Sequence, residues 1–138
     1  MWWIFALLSA LFAALTAIFA KIGIRNVDTD VATAVRTVIV AIITWGIVST
    51  GGKISLVSTL NRQNLTFLIL SGLTTGLSWI FYFKALQIGQ VVRVASIDKL
   101  SVALAIIFAV VFLGEQLTWK IALGALLIIS GTIVLIME

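Results

Sequence analysis

Five apolar runs, each long enough to cross a bilayer, take up most of this chain of 138 residues. A spanning helix needs about 20 apolar residues at about 1.5 Å of rise each. The runs fall at 3–22, 31–49, 65–83, 92–113 and 119–137. They predict an all-α integral membrane protein, with a single transmembrane domain over residues 1–138. Five is an odd number, so the two ends of such a domain face opposite sides of the membrane. If two copies are joined or paired, the second lies upside down relative to the first. The five helices would then form one repeat of an inverted-repeat transporter.

Composition supports the membrane as solvent. Hydrophobic residues make up 62% of the chain and mean hydropathy is +1.27. A soluble domain of this length has too small an interior to cover that much apolar surface. The first run opens on Trp2 and Trp3, without the basic segment that precedes a cleaved leader, and it continues to Ala20. It reads as a first span with an aromatic anchor at the membrane surface. Cysteine and histidine are both absent, which excludes disulfides, thiolate chemistry and imidazole as base or metal ligand. The formal net charge is +4, but the cations stand singly at span ends, where lipid headgroups lie. No basic cluster forms, so membrane lipid and no nucleic acid is the expected partner.

The connections are short, and proline is absent, so no span is expected to break. Residues 26–30 join the first pair, Gly51 and Gly52 open the second linker, 87–91 join the third and fourth spans, and 114–118 the last two. Ile54, Leu56, Val57 and Leu60 predict a short amphipathic turn at the membrane surface. Thr118 is placed to cap the last helix. Small residues recur every fourth position at Ala6/Ala10/Ala14, Gly72/Gly76 and Ser101/Ala105/Ala109, and Gly124 and Gly131 stand seven apart. Such positions let helices approach closely.

Cations divide almost evenly between the two faces. The side holding the N-terminus carries Lys53, Arg62 and Lys120; the opposite side, called side B below, carries Lys21, Arg25, Lys84 and Arg93. Positive-inside logic leans toward side B as cytoplasmic. The near balance also suits two orientations in one membrane, as an antiparallel homodimer requires.

Charges inside a span are costly and point to function or to a structural partner. Arg36 lies about 8 Å into the second span from side B, and Asp98 and Lys99 about 9–10 Å into the fourth from the same side. The shared depth predicts an Arg36–Asp98 pair; the alternatives are snorkelling to the headgroups and a cavity-lining role. Asp98 is the one carboxylate expected at that depth, hence the one candidate for proton coupling. Span 1 holds no acid to support cation–proton exchange of the multidrug type. In span 3, Thr75, Trp79 and Tyr82 share a helical face. Their hydroxyl and aromatic groups suit a small ligand with polar and apolar parts, or equally an aromatic belt at the membrane surface. Ser96 and Lys99 have the spacing of a serine–lysine dyad, but Asp98 would hold the lysine protonated. No phosphate loop or cofactor motif is present. The expectation is no enzyme, no cofactor and no metal.

The C-terminal half carries an ordered set of motifs: YFKALQIG from Tyr82, IDKLSV from Ile97, FLGEQLT from Phe112 and GALLIISG from Gly124. In order and spacing these resemble the EamA domain of the drug/metabolite transporter superfamily. The resemblance covers essentially the whole chain, and Arg36 fits the family's basic residue early in helix 2. It departs in two ways. Ser101 stands where the family often has proline, and most members fuse two such domains, so this chain resembles the single-domain, five-helix branch. Glu115 matches the family's Gly-Glu pair, and its place before the last span favours the positive helix N-terminus.

The resemblance implies export of small polar metabolites such as amino acids by alternating access. The protein would act in the plasma (inner) membrane as a homodimer, with helices 1–4 lining the cavity. The substrate-binding residues expected are Arg36, Thr75, Trp79, Tyr82, Asp98 and Lys99. Two alternatives are a flippase for a lipid-linked sugar, and a non-transporting membrane subunit or assembly factor.

Overall fold

The computed structural model describes residues 1–137, and among them helices are the only regular structure. In order these are α1 (Trp2–Gly23), α2 (Thr29–Thr50), a 3-10 turn (Ile54–Thr59), α3 (Arg62–Ile88), α4 (Val91–Asp98), α5 (Leu100–Leu113) and α6 (Trp119–Ile136). With α4 and α5 taken as one span, Val91–Leu113, five helices are long and apolar enough to cross a membrane. The all-α, five-span architecture read from hydropathy is thus the one observed.

Helix starts follow local chemistry. The Asp28 carboxylate accepts from the backbone N–H groups of Asp30 (2.9 Å) and Val31 (3.1 Å), which fixes the start of α2. Asn61 does the same for Asn64 at 2.7 Å ahead of α3. Thr118 caps α6 as expected, accepting from Ile121 at 3.4 Å. The predicted amphipathic turn is the 3-10 segment Ile54–Thr59. Gly114, with φ of 69°, closes α5 in the left-handed region that glycine enters without strain.

Two boundaries differ from expectation. Helix α3 runs from Arg62 to Ile88, not 65 to 83, because Lys84–Ile88 contains no breaker and the helix simply continues. Its 27 residues reach about 40 Å, enough to carry both ends into the headgroup layers. The fourth span, expected to be continuous, is interrupted at Lys99. There the backbone tightens: Lys99 N–H donates to Ser96 O (3.1 Å) and Val102 N–H to Lys99 O (3.0 Å). No proline is involved. The Ser96 hydroxyl bonds back to Val92 O at 2.7 Å, a contact that bends helices. The Thr132 hydroxyl of α6 donates to Ser96 O at 3.2 Å, satisfying a carbonyl inside the bilayer.

The chain forms two compact units, residues 20–87 and residues 1–19 with the chain from 88 onward. In the first, the interior is Ile24, Thr29, Thr33, Phe83 and Leu86. Thr29 and Thr33 lie one turn apart on α2, and Phe83 and Leu86 lie on one face of α3. The threonine hydroxyls are absorbed locally: Thr33 donates to Thr29 O (2.7 Å) and Thr37 to Thr33 O (2.8 Å). In the second unit α4 and α5 both pack on α6, with Ala17, Ala103 and Thr132 buried. Most other apolar side chains are exposed, as lipid-facing surfaces are.

Candidate functional site

Arg36 lies one turn beyond Thr33 on the buried face of α2, so its side chain is directed at α3 rather than at lipid. Its guanidinium carbon stands 4.3 Å from the centroid of the Trp79 ring and 5.2 Å from that of Phe83. Trp79, Phe83 and Leu86 follow the i, i+4, i+7 pattern of one helix face, and this face presents two π-clouds to the cation. Such contacts contribute about 0.5–1 kcal/mol when exposed and about 2 kcal/mol or more when desolvated. Tyr82 sits beside Phe83 with its ring edge-on, centroids 6.2 Å apart and planes at 76°. Thr75, one turn before Trp79, is exposed, and its hydroxyl donates to Ser71 O at 2.8 Å.

The structure therefore brings Arg36, Trp79 and Tyr82 together, with Thr75 one turn along the same helix. Phe83 was not among the sequence-derived candidates. The signal for it was the spacing of four from Trp79, which places it on the same face. Tyr82, three residues after Trp79, borders Phe83 on this helix.

Asp98 and Lys99 occupy the break in the fourth span and pair with each other, Nζ to Oδ2, at 3.5 Å. The Arg36–Asp98 pair expected from depth would join the two units; within its own unit each residue has a contact, Arg36 with aromatic rings and Asp98 with the neighbouring ammonium. Trp79 and Phe83 already cover the guanidinium on the facing helix, and Lys99 is the next residue to Asp98. Two ion pairs occur among the described residues, Lys99–Asp98 and Lys84–Asp30, so within the residue 20–87 unit no carboxylate neutralises the Arg36 charge.

Side B of the residue 20–87 unit is held by a set of polar contacts that hydropathy did not reveal. Lys84 meets Asp30 at 3.2 Å, and Lys21 donates to the terminal carbonyls of α3, Leu86 O and Gln87 O. Gln87 Nε2 donates to Val27 O at 3.0 Å. Lys21 thus satisfies carbonyls that a helix end leaves without partners, and its charge opposes the negative end of the α3 dipole. Below this, the Gly72/Gly76 stripe of α3 borders an apolar groove with Ile69, Leu73, Leu77 and Ile80.

Comparison with known proteins agrees with the motif pattern. The model of the EamA-like transporter family matches residues 1–137. A protein of Sinorhizobium sp, described as an uncharacterized transporter in the cobO 3' region, is 46% identical over 134 residues, which is 97% of this chain and 95% of that protein. No solved structure matches the chain.

Proposed function

The chain belongs to the EamA-like transporter family and is a multi-pass membrane transporter, and from that premise we propose that it carries small polar metabolites bearing an anionic group. The observation that carries this reading is Arg36: a cation within a spanning helix, held on the faces of Trp79 and Phe83, without a carboxylate partner. Cation–π contact stabilises a guanidinium without cancelling its charge, so the fork of N–H donors remains suited to a substrate carboxylate. The rings, with Tyr82 beside them, suit the apolar part of an amino acid or similar solute. Thr75 extends the polar lining by one turn.

Asp98 and Lys99, in the other unit, are proposed as substrate contacts on their depth in the fourth span alone. Asp98 is the carboxylate placed well inside a span, and it is the proposed proton-coupling group. We take the working protein as a homodimer of opposed copies in the plasma membrane, moving substrate outward by alternating access. The odd span number and the near-balanced cations, four on side B and three opposite, support this arrangement.

The reading is tested by uptake into liposomes reconstituted with the chain alone, screened over pools of amino acids, neutral polar solutes and organic cations. Accumulation of anionic or zwitterionic solutes is expected, and activity with cations alone would overturn the proposal. Reporter tags on the C-terminus should give signal on both membrane sides. A one-sided signal would rule out the antiparallel dimer.

A further inference from the structure

A second polar feature lies away from Arg36, where α1 ends and the chain turns toward α2. Lys21, Ile24, Arg25, Asn26 and Gln87 enclose a cavity of about 310 Å3, within the size range of small-ligand sites. Part of its wall is tied in place. Lys21 is tied to the last carbonyls of α3, Gln87 is tied to Val27 O, and Ile24 is buried beneath. Asn26 adopts a left-handed conformation, φ 60°, which turns the loop back over the opening.

Two cations border this cavity and no acid does. The nearby carboxylates are committed elsewhere: Asp28 caps α2, and Asp30 pairs with Lys84. Arg25 is exposed and has no ion-pair partner among the described residues. Arg25 therefore brings a positive charge without an ion-pair partner to the cavity, and the Asn26 side chain adds amide polarity. The position is the end of a spanning helix, where headgroups lie, and Ile22 beside Lys21 is an apolar residue 66% exposed.

We propose that this cavity is a phosphate-binding site for an anionic phospholipid headgroup, with Arg25 forking the phosphate oxygens and Lys21 adding charge from the wall. Guanidinium geometry matches phosphate oxygens in pairs, and basic pockets at membrane surfaces are suited to anionic headgroups. The Ile22 surface is placed to meet an acyl chain, which favours a lipid over free phosphate as the source. The site is separate from the proposed substrate residues, so its occupancy does not depend on what the protein transports.

The test uses the full-length chain in nanodiscs containing phosphatidylglycerol and phosphatidylcholine, with lipid retained after extraction counted by native mass spectrometry. Wild type should retain phosphatidylglycerol in preference to phosphatidylcholine. Arg25→Gln should weaken retention about fivefold and Arg25→Glu about 25-fold, at roughly one surface charge per step. Arg93→Gln, a side-B cation that does not border the cavity, should leave retention unchanged. Circular dichroism confirms that each variant keeps its helices, and Arg25 is exposed enough for replacement to be tolerated. Displacement of phosphatidylglycerol by millimolar inorganic phosphate would uphold the phosphate chemistry and move its source to solution. Equal retention by wild type and both Arg25 variants, or a loss in Arg93→Gln as large as in Arg25→Gln, would overturn the proposal.

Discussion

The α2–α3 pair and the broken fourth span handle intramembrane polarity in opposite ways. In α2–α3 the backbone is continuous, the threonine hydroxyls bond within their own helix, and the one embedded cation rests on aromatic rings. In the fourth span the helix tightens at Lys99, a hydroxyl from α6 adds a second donor to the Ser96 carbonyl, and the embedded charges face each other. The first arrangement keeps a positive charge on aromatic faces inside a regular helix. The second pairs charge with charge beside a tightened turn.

The contrast makes predictions of decreasing size. Replacing Arg36 by glutamine should have the largest effect. It removes the charged group proposed to hydrogen-bond substrate, so uptake of an anionic solute should fall about 10- to 100-fold, read by initial rates in proteoliposomes. An unchanged rate would erase the distinction drawn for α2–α3. Trp79→Leu should act next, raising the concentration for half-maximal uptake about five- to thirtyfold as the ring contact is lost. Phe83→Leu should act in the same direction but less, since its ring is farther from the guanidinium.

Thr132→Val tests the other region. It leaves Ser96 O with only its backbone contact and should cost about 0.6 kcal/mol, at most about 1.7 kcal/mol, seen as a lower melting temperature in detergent. Thr132→Ser should restore most of it. Equal stability of the valine variant would mean that the break in the fourth span needs no support from α6. Smallest is Lys84→Ala at the side-B contacts: both partners are more than half exposed, and such pairs contribute about 0–1 kcal/mol.

Much of the fold was legible because membrane solvent imposes a strong periodic demand. All five spans, the interfacial turn and the Thr118 cap follow from hydropathy and local capping chemistry alone. The end of α3 was missed because Lys84 looked like a headgroup anchor, whereas it continues the helix and pairs with Asp30 on another element. The break at Lys99 was missed because its support comes from Thr132, 36 residues away from Ser96, which no local pattern encodes. Embedded charge and helical spacing singled out Arg36, Trp79 and Tyr82, and α2 and α3 bring them together; the pairing of Arg36 with Asp98 rests on depth alone. Depth does not say which helix face meets which, and it was the Trp79–Phe83 face that met the cation.

The central claim is that Arg36 recognises an anionic group while resting on two aromatic rings. It is tested most directly by competitive uptake of a transported carboxylate solute and its neutral amide analogue in proteoliposomes of wild type and Arg36→Gln. Wild type should prefer the carboxylate by at least about tenfold, and Arg36→Gln should lose that preference while keeping its helical content. A glutamine variant that transports at the wild-type rate and still prefers the carboxylate would contradict the claim.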